Sequence, residues 1–171
     1  MRRWRWVVTI LVIVAAPHIA AADPTVEQPL RQFTSYDQKL TSIGYRLAVS
    51  AGGLCKKQAP LTGLAFHDIS QYSLSQQPYA RSTFGFDGHI LVLAVAPDSP
   101  AAQAGIQVDD AVLLINGKTI PTGVTGGNAS FARTAAFLDQ LEAALAAADQ
   151  VSLTIGRAGN RREIIVKGQG G

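Results

Sequence analysis

Between His89 and Gly117 two short apolar runs are held close together by turn chemistry, and this restricts the fold more than any other feature of the chain. His89–Val95, HILVLAV, has strand length and is rich in Ile, Leu and Val. Ala111–Ile115, AVLLI, is a second such run. Pro97-Asp98-Ser99-Pro100 forms a turn between them. Asp98 or Ser99 can cap a short helix over Pro100–Ala104, because proline at a first helical position loses no helical hydrogen bond. Gly105 ends that helix. Asn116-Gly117 directly follows the second run and is the strongest two-residue hairpin signal, since a type I′ turn needs positive φ at both central residues.

The same kind of reading extends to both sides. Gly63–Ile69, GLAFHDI, reads as a strand, and Gln71–Arg81, polar with Pro78, reads as a connection or short helix. Pro121–Ser130 is a glycine-containing loop. Phe131–Ala148 is helical, with Phe131, Thr134, Leu138, Leu141 and Leu145 on one face. Val151–Ile155 and Glu163–Val166 form a final hairpin around Ala158-Gly159-Asn160. Short strands, two helices and tight turns predict an α+β fold: a partly open barrel or sandwich of five to six short strands capped by two helices over 61–168.

Ahead of this domain, residues 23–60 read as a lead-in followed by one amphipathic helix. Leu30, Phe33, Tyr36, Leu40, Ile43 and Leu47 recur at spacings of 3, 3, 4, 3 and 4 and lie on one helical face. Gly52-Gly53 stops the helix. An isolated apolar stripe needs cover, so this helix is expected to pack on the following domain or on a partner. Residues 1–22 have the three parts of a secretory signal: a basic head, the ten-residue run Val7–Ala16, and a small-residue end at Ala20-Ala21-Ala22. The run is half the length of about 20 apolar residues that a membrane span requires. The expectation is export to the periplasm or medium, with cleavage between Ala22 and Asp23 and no stable membrane anchor afterwards.

Charge follows the same division. The chain carries 15 Lys and Arg against 12 Asp and Glu. Arg2, Arg3 and Arg5 account for the whole excess, leaving a body with 12 of each sign. A neutral body has no footprint for a phosphate backbone, so nucleic acid is not an expected partner. A single cysteine, Cys55, permits no internal disulfide.

The stretch from Val95 to Ile106, with Val108–Gly117 after it, resembles a PDZ domain of the bacterial HtrA-protease type. It keeps Ser99, Pro100, Ala101, Ala102, Ala104, Gly105, Ile106, Asp110, Leu113, Leu114, Asn116 and Gly117 of that pattern. Asp109 stands where the family has glycine, and aspartate tolerates the left-handed conformation better than most residues. Upstream, Gly63-Leu64-Ala65-Phe66 resembles the carboxylate-binding loop, with Ala65 in place of its second glycine. Downstream, Thr134–Leu141 is similar to the helix that lines the peptide groove.

The resemblance implies a binding module with no catalytic residues, no metal and no cofactor. Its partner would be a peptide or protein C-terminus, paired by strand addition in a groove between strand 63–69 and helix 131–148. Gly63, Leu64, Ala65 and Phe66 would form the loop and pocket floor, since small residues let backbone N–H groups surround a carboxylate. Thr134, Leu138 and Leu141 would form the wall. The same residues also read as plain core, and the sequence leaves both readings standing. The segment Ile43–Leu47, Leu54-Cys55 and Gly63–Tyr72 also resembles the front portion of exported M48-type metallopeptidases. The alternative is therefore a regulatory PDZ fragment of such an enzyme, with the catalytic domain absent from this chain and a protease as possible partner.

Catalytic patterns are missing. There is no His-Glu-x-x-His and no Gly-x-Ser-x-Gly. His67-Asp68 does not form an acid–base pair, because neighbours on a strand face opposite ways. Cys55 reads as a loop thiol.

Overall fold

The structure, a computed structural model, describes residues 24–56, 58–120 and 127–170. The signal-sequence expectation for 1–22 lies outside them. Helix α1 spans Pro24–Ala51 and so takes in the segment expected to be a lead-in. It ends at Gly52-Gly53 in a single 3-10 turn. A short strand β1, Pro60–Leu61, leads to β2, Leu64–His67, and then to helix α2, Gln77–Phe84. Strand β3, Ile90–Val95, precedes helix α3, Pro100–Gln103. Strands β4, Ala111–Ile115, and β5, Lys118–Thr119, flank the Asn116-Gly117 turn. Helix α4, Ala132–Ala148, is followed by the hairpin β6, Gln150–Arg157, and β7, Asn160–Lys167, and by β8, Gln169–Gly170.

Five antiparallel strands run in the order β2-β3-β4-β6-β7, with β5 paired to β4, and β1 pairs with β8 as a separate ladder. The sheet has a hydrophobic layer on each side. On one face Phe66, Ile90, Val92, Val112, Leu153, Ile155 and Val166 pack under Phe137, Leu141 and Leu145 of α4. On the other, Ile69, Ala80, Phe84, Phe86 and Leu91 form a smaller cluster that Leu30 of α1 and Tyr72 join. Strand β3 lies between these layers, which explains why its sequence is a continuous apolar run rather than an alternating one. Strands β6 and β7 are covered on one face only, and they alternate: Val151, Leu153 and Ile155 are inside while Ile165 is exposed.

The turn residues behave as their chemistry requires. The Ser99 hydroxyl accepts from Ala102 N at 3.2 Å and caps α3. Asn116 and Gly117 both have positive φ, 48° and 73°. Asp109 adopts φ 69°, the left-handed region its side chain tolerates. Asp110 is buried and takes two hydrogen bonds from Arg157, each 2.6 Å, plus one from Gln107 N at 2.8 Å. Three donors on one carboxylate fasten the 105–110 turn to β6, where Arg157 also donates to Gly105 O.

Two expectations are corrected. The buried face of α4 is Thr134, Phe137, Leu141 and Leu145, whereas Phe131 and Leu138 are exposed. Phe137 and Leu138 are neighbours in an alanine-rich helix, so the apolar pattern alone shifts the face by one position. The larger correction concerns α1. The helix does pack on the domain, with Leu30 in the smaller cluster, but the rest of its apolar stripe turns away: Phe33, Tyr36, Leu40, Ile43 and Leu47 are 50–67% exposed. The helix is held instead through a polar face. Arg31 bonds Asp109, at 2.8 and 3.0 Å, and Thr83 O, and lies 4.7 Å over the Phe84 ring. Gln38 bonds the backbone of Val95, and the Tyr45 hydroxyl bonds Gln169.

Candidate functional site

Among the described residues, strand β2 is the edge of the main sheet, bonded to β3 on one side only. Its free side faces α4, and a groove of about 350 Å³ lies beside its first residues. Gly63, Leu64, Ala65, Leu138 and Leu141 line this groove, so five of the seven residues singled out from the sequence are brought together. Phe66 is not among them. It is 7% exposed and packs edge-on against Phe137, with ring centroids 4.8 Å apart, as core. Thr134 is also buried, its hydroxyl accepting from Gln71 Nε2 at 2.9 Å.

That hydrogen bond belongs to a seal at one end of the groove. After β2, the buried carboxylate of Asp68 caps the next turn, accepting from Ser70 N at 3.0 Å, and pairs with Arg133 at the start of α4. Arg133 also donates to Gly88 O at 2.9 Å, and Ser70 and Ser130 exchange backbone and hydroxyl bonds. The charged pair is satisfied on both sides, as a buried pair must be. It joins the start of α4 to the far end of β2, so the open part of the groove lies beside residues 60–65.

The turn entering β2 is shaped by backbone constraints. Gly63 has φ +78°, and a Cβ there would lie 2.6 Å from Ser99 Oγ and 3.2 Å from Ala96 Cβ. The position therefore requires glycine for fold reasons. Thr62 O accepts from Ala101 N and Gly63 O from Ala96 N, so both carbonyls of this turn are committed to the 96–101 segment.

The third wall comes from α1. Thr41, Gly44, Tyr45 and Ala48 of α1 line the groove opposite α4, together with Pro60, Leu61, Thr62, Glu142 and Leu145. A Cβ at Gly44 would meet nothing within 4 Å, so the glycine leaves open space rather than making a close contact. A glycine in mid-helix, one turn before Ala48, was the available sequence signal. Leu145 continues the Leu138–Leu141 row by four residues.

Behind β2, His67 points into the smaller cluster. Its ring lies 4.9 Å from Phe84 and 4.8 Å from Phe86. Nδ1 is 3.0 Å from the Tyr72 hydroxyl, and Nε2 is buried with no hydrogen-bond partner among the described residues. Burial, reinforced by the Arg31 charge and opposed by Asp68, lowers the His67 pKa to about 4. Burial also pushes the Tyr72 hydroxyl up to about 12. His67 and Asp68 turn to different partners, so they form no acid–base pair. Among the described residues no group of three His, Cys, Asp or Glu could hold a metal ion, and no helix is long and apolar enough to cross a membrane.

Residues 91–129 match the family model of the PDZ domain. That stretch of the chain, from β3 through β5, is PDZ-like in sequence, and the fold around it is the α+β arrangement expected from the sequence. Solved structures similar to it include the PDZ domain of HtrA3 bound to a phage-derived ligand, at 17% identity and TM-score 0.48, covering 67% of this chain and 90% of that one. The HtrA-type protease AlgW with a decapeptide is similar at 19% identity and TM-score 0.43, covering 67% of this chain and 30% of AlgW. No curated protein matches the chain.

Proposed function

We propose that the chain is an exported PDZ module that captures the C-terminus of a peptide or protein. The ligand adds a strand to the free edge of β2, in the groove bounded by the 60–65 turn, α4 and α1. The observation that carries this reading is the unpaired β2 edge opening onto a groove with apolar walls at Leu64, Leu138, Leu141 and Leu145. An edge strand offers its N–H and C=O groups to an extended chain, and pockets between it and a helix select side chains. Backbone amides of the Gly63–Ala65 turn receive the terminal carboxylate. Leu138, 37% exposed, meets the ligand's last side chain, while Leu141 and Leu145 floor the pocket from the core. Phe66 and Thr134 act indirectly: the first fixes β2 on α4, the second closes the far end.

Titration of an array of short peptides, each with a free and an amidated C-terminus, tests the reading. The acid forms bind at least roughly tenfold more tightly, about 1.4 kcal/mol, because a charge-assisted hydrogen bond exceeds that amount. Equal binding of acid and amide forms rejects terminus recognition.

A further inference from the structure

We propose that the outward stripe of α1 is a self-association seam through which two copies of this chain pair as a two-stranded coiled coil. Phe33, Tyr36, Leu40, Ile43 and Leu47 alternate spacings of three and four, the spacing of a and d positions in a heptad. All five are large, apolar or aromatic, and half to two-thirds exposed. Arg31, Gln38 and Tyr45, which fasten α1 to its own domain, are spaced by seven and occupy the f position, diametrically opposite that seam. The domain therefore fixes α1 with its a/d row pointing outward.

The stripe is narrow, which selects a helix as its occupant. A surface helix that lies on a lipid or a sheet needs an apolar arc of at least about 100°, whereas an a/d-only row fits a second such row. The flanks suit a second copy. The e and g positions are Asp37, Gly44, Gln32, Lys39 and Arg46. In a parallel pair, each g residue faces the next e residue of the other helix, which sets Gln32 against Asp37 and Lys39 against Gly44, so no like charges oppose. Lys39 Nζ already lies 5.4 Å over the ring of Tyr36, a seam residue. Residues 23–171 carry equal numbers of each charge, so no net repulsion opposes association.

The size of the seam sets the strength. Pairing five such side chains with their equivalents removes roughly 1,000 Å² in total, at the small end of specific interfaces. The dimer is consequently of the weak, concentration-dependent kind. Of the α1 residues that line the groove only Gly44, at an e position, borders the seam, while Thr41 and Ala48 lie at b and Tyr45 at f, so each dimer presents two open grooves, although the pairing itself does not depend on peptide binding.

Sedimentation equilibrium of the chain as it accumulates in the producing cell, from about 5 to 500 μM, tests the proposal. The expected result is a monomer–dimer equilibrium that Leu40→Gln with Ile43→Gln shifts at least roughly tenfold toward monomer, with the unfolding temperature unchanged. Leu47→Gln alone shifts it in the same direction and serves if the double variant fails to fold. A monomer throughout overturns the proposal, whether the stripe then covers a segment of its own chain or binds lipid vesicles. A dimer indifferent to these substitutions overturns it too, since its interface lies elsewhere.

Discussion

The side-chain amide of Gln38 makes a two-point contact with the backbone of Val95: Nε2 donates to Val95 O at 2.6 Å, and Oε1 accepts from Val95 N at 3.1 Å. An amide side chain presents the same donor and acceptor as a peptide unit, so α1 takes the place of a neighbouring strand at this residue. Val95 is also the register partner of Leu64, the first residue of β2. The helix is thereby fixed one strand away from the groove it walls.

Removing that contact should loosen the wall and leave the sheet intact. Gln38→Ala leaves two backbone groups of Val95 without their partner and should cost about 1–3 kcal/mol. Hydrogen exchange should accelerate across α1 while β6 and β7 keep their protection. Uniform acceleration through the whole domain would mean that α1 is integral to the fold and not a docked wall.

The two glycines of the groove should respond in opposite ways. Gly63→Ala combines a positive φ, about 1–2 kcal/mol for a residue with Cβ, with overlap against Ser99 in a close-packed region. Urea unfolding should register a loss of at least about 2 kcal/mol. Gly44→Ala should raise stability by up to about 1 kcal/mol, since the site has room and alanine is the better helix former.

A larger side chain at Gly44 separates groove from core. Gly44→Leu extends into the space between α1, the 60–65 turn and α4. Peptide binding should fall at least roughly tenfold with the fold retained. Leu141→Ala, at a residue 4% exposed, should instead lose about 2–5 kcal/mol of stability. Unimpaired binding by a folded Gly44→Leu protein would place the ligand elsewhere.

His67 gives the fold a dependence on acidity. Its pKa is about 4 in the folded chain against an ordinary 6.5, so the unfolded chain takes up the proton first as pH falls. Stability from this group is complete above pH 6.5 and declines between 6.5 and 4, by up to about 1.4 kcal/mol per pH unit. Urea unfolding of His67→Leu should show a shallower slope between pH 6.5 and 5 than the unmodified protein. Identical slopes would show that the ring is not buried in neutral form.

What the sequence disclosed and what it hid divide along range. Ser99, Gly105 and Asn116-Gly117 act on residues within a few positions, and the turns they specify stand where their chemistry puts them. The apolar runs around Ile90 and Val112 likewise declare themselves. Gln38 with Val95, Arg133 with Asp68 and Arg31 with Asp109 are 57, 65 and 78 residues apart, and no local pattern encodes such pairs. Asp109 reads only as a tolerated departure from glycine, yet its carboxylate receives α1. The stripe from Phe33 to Leu47 was legible as a helical face, but its direction is set by those long-range polar contacts. For the groove, the row Leu138–Leu141 was visible, while the contribution of Gly44 and Ala48 depended on where α1 lies.

The central claim is that a ligand joins the sheet at the free edge of β2. Residue-resolved amide hydrogen exchange, with and without a saturating free-acid peptide from the array, tests it most directly. New protection should appear at amides within Gly63–His67, with smaller changes at Leu138 and Gly44 and none in β7. Protection confined to the opposite face of the sheet, around Asp87, Val108 and Arg161, would contradict the account.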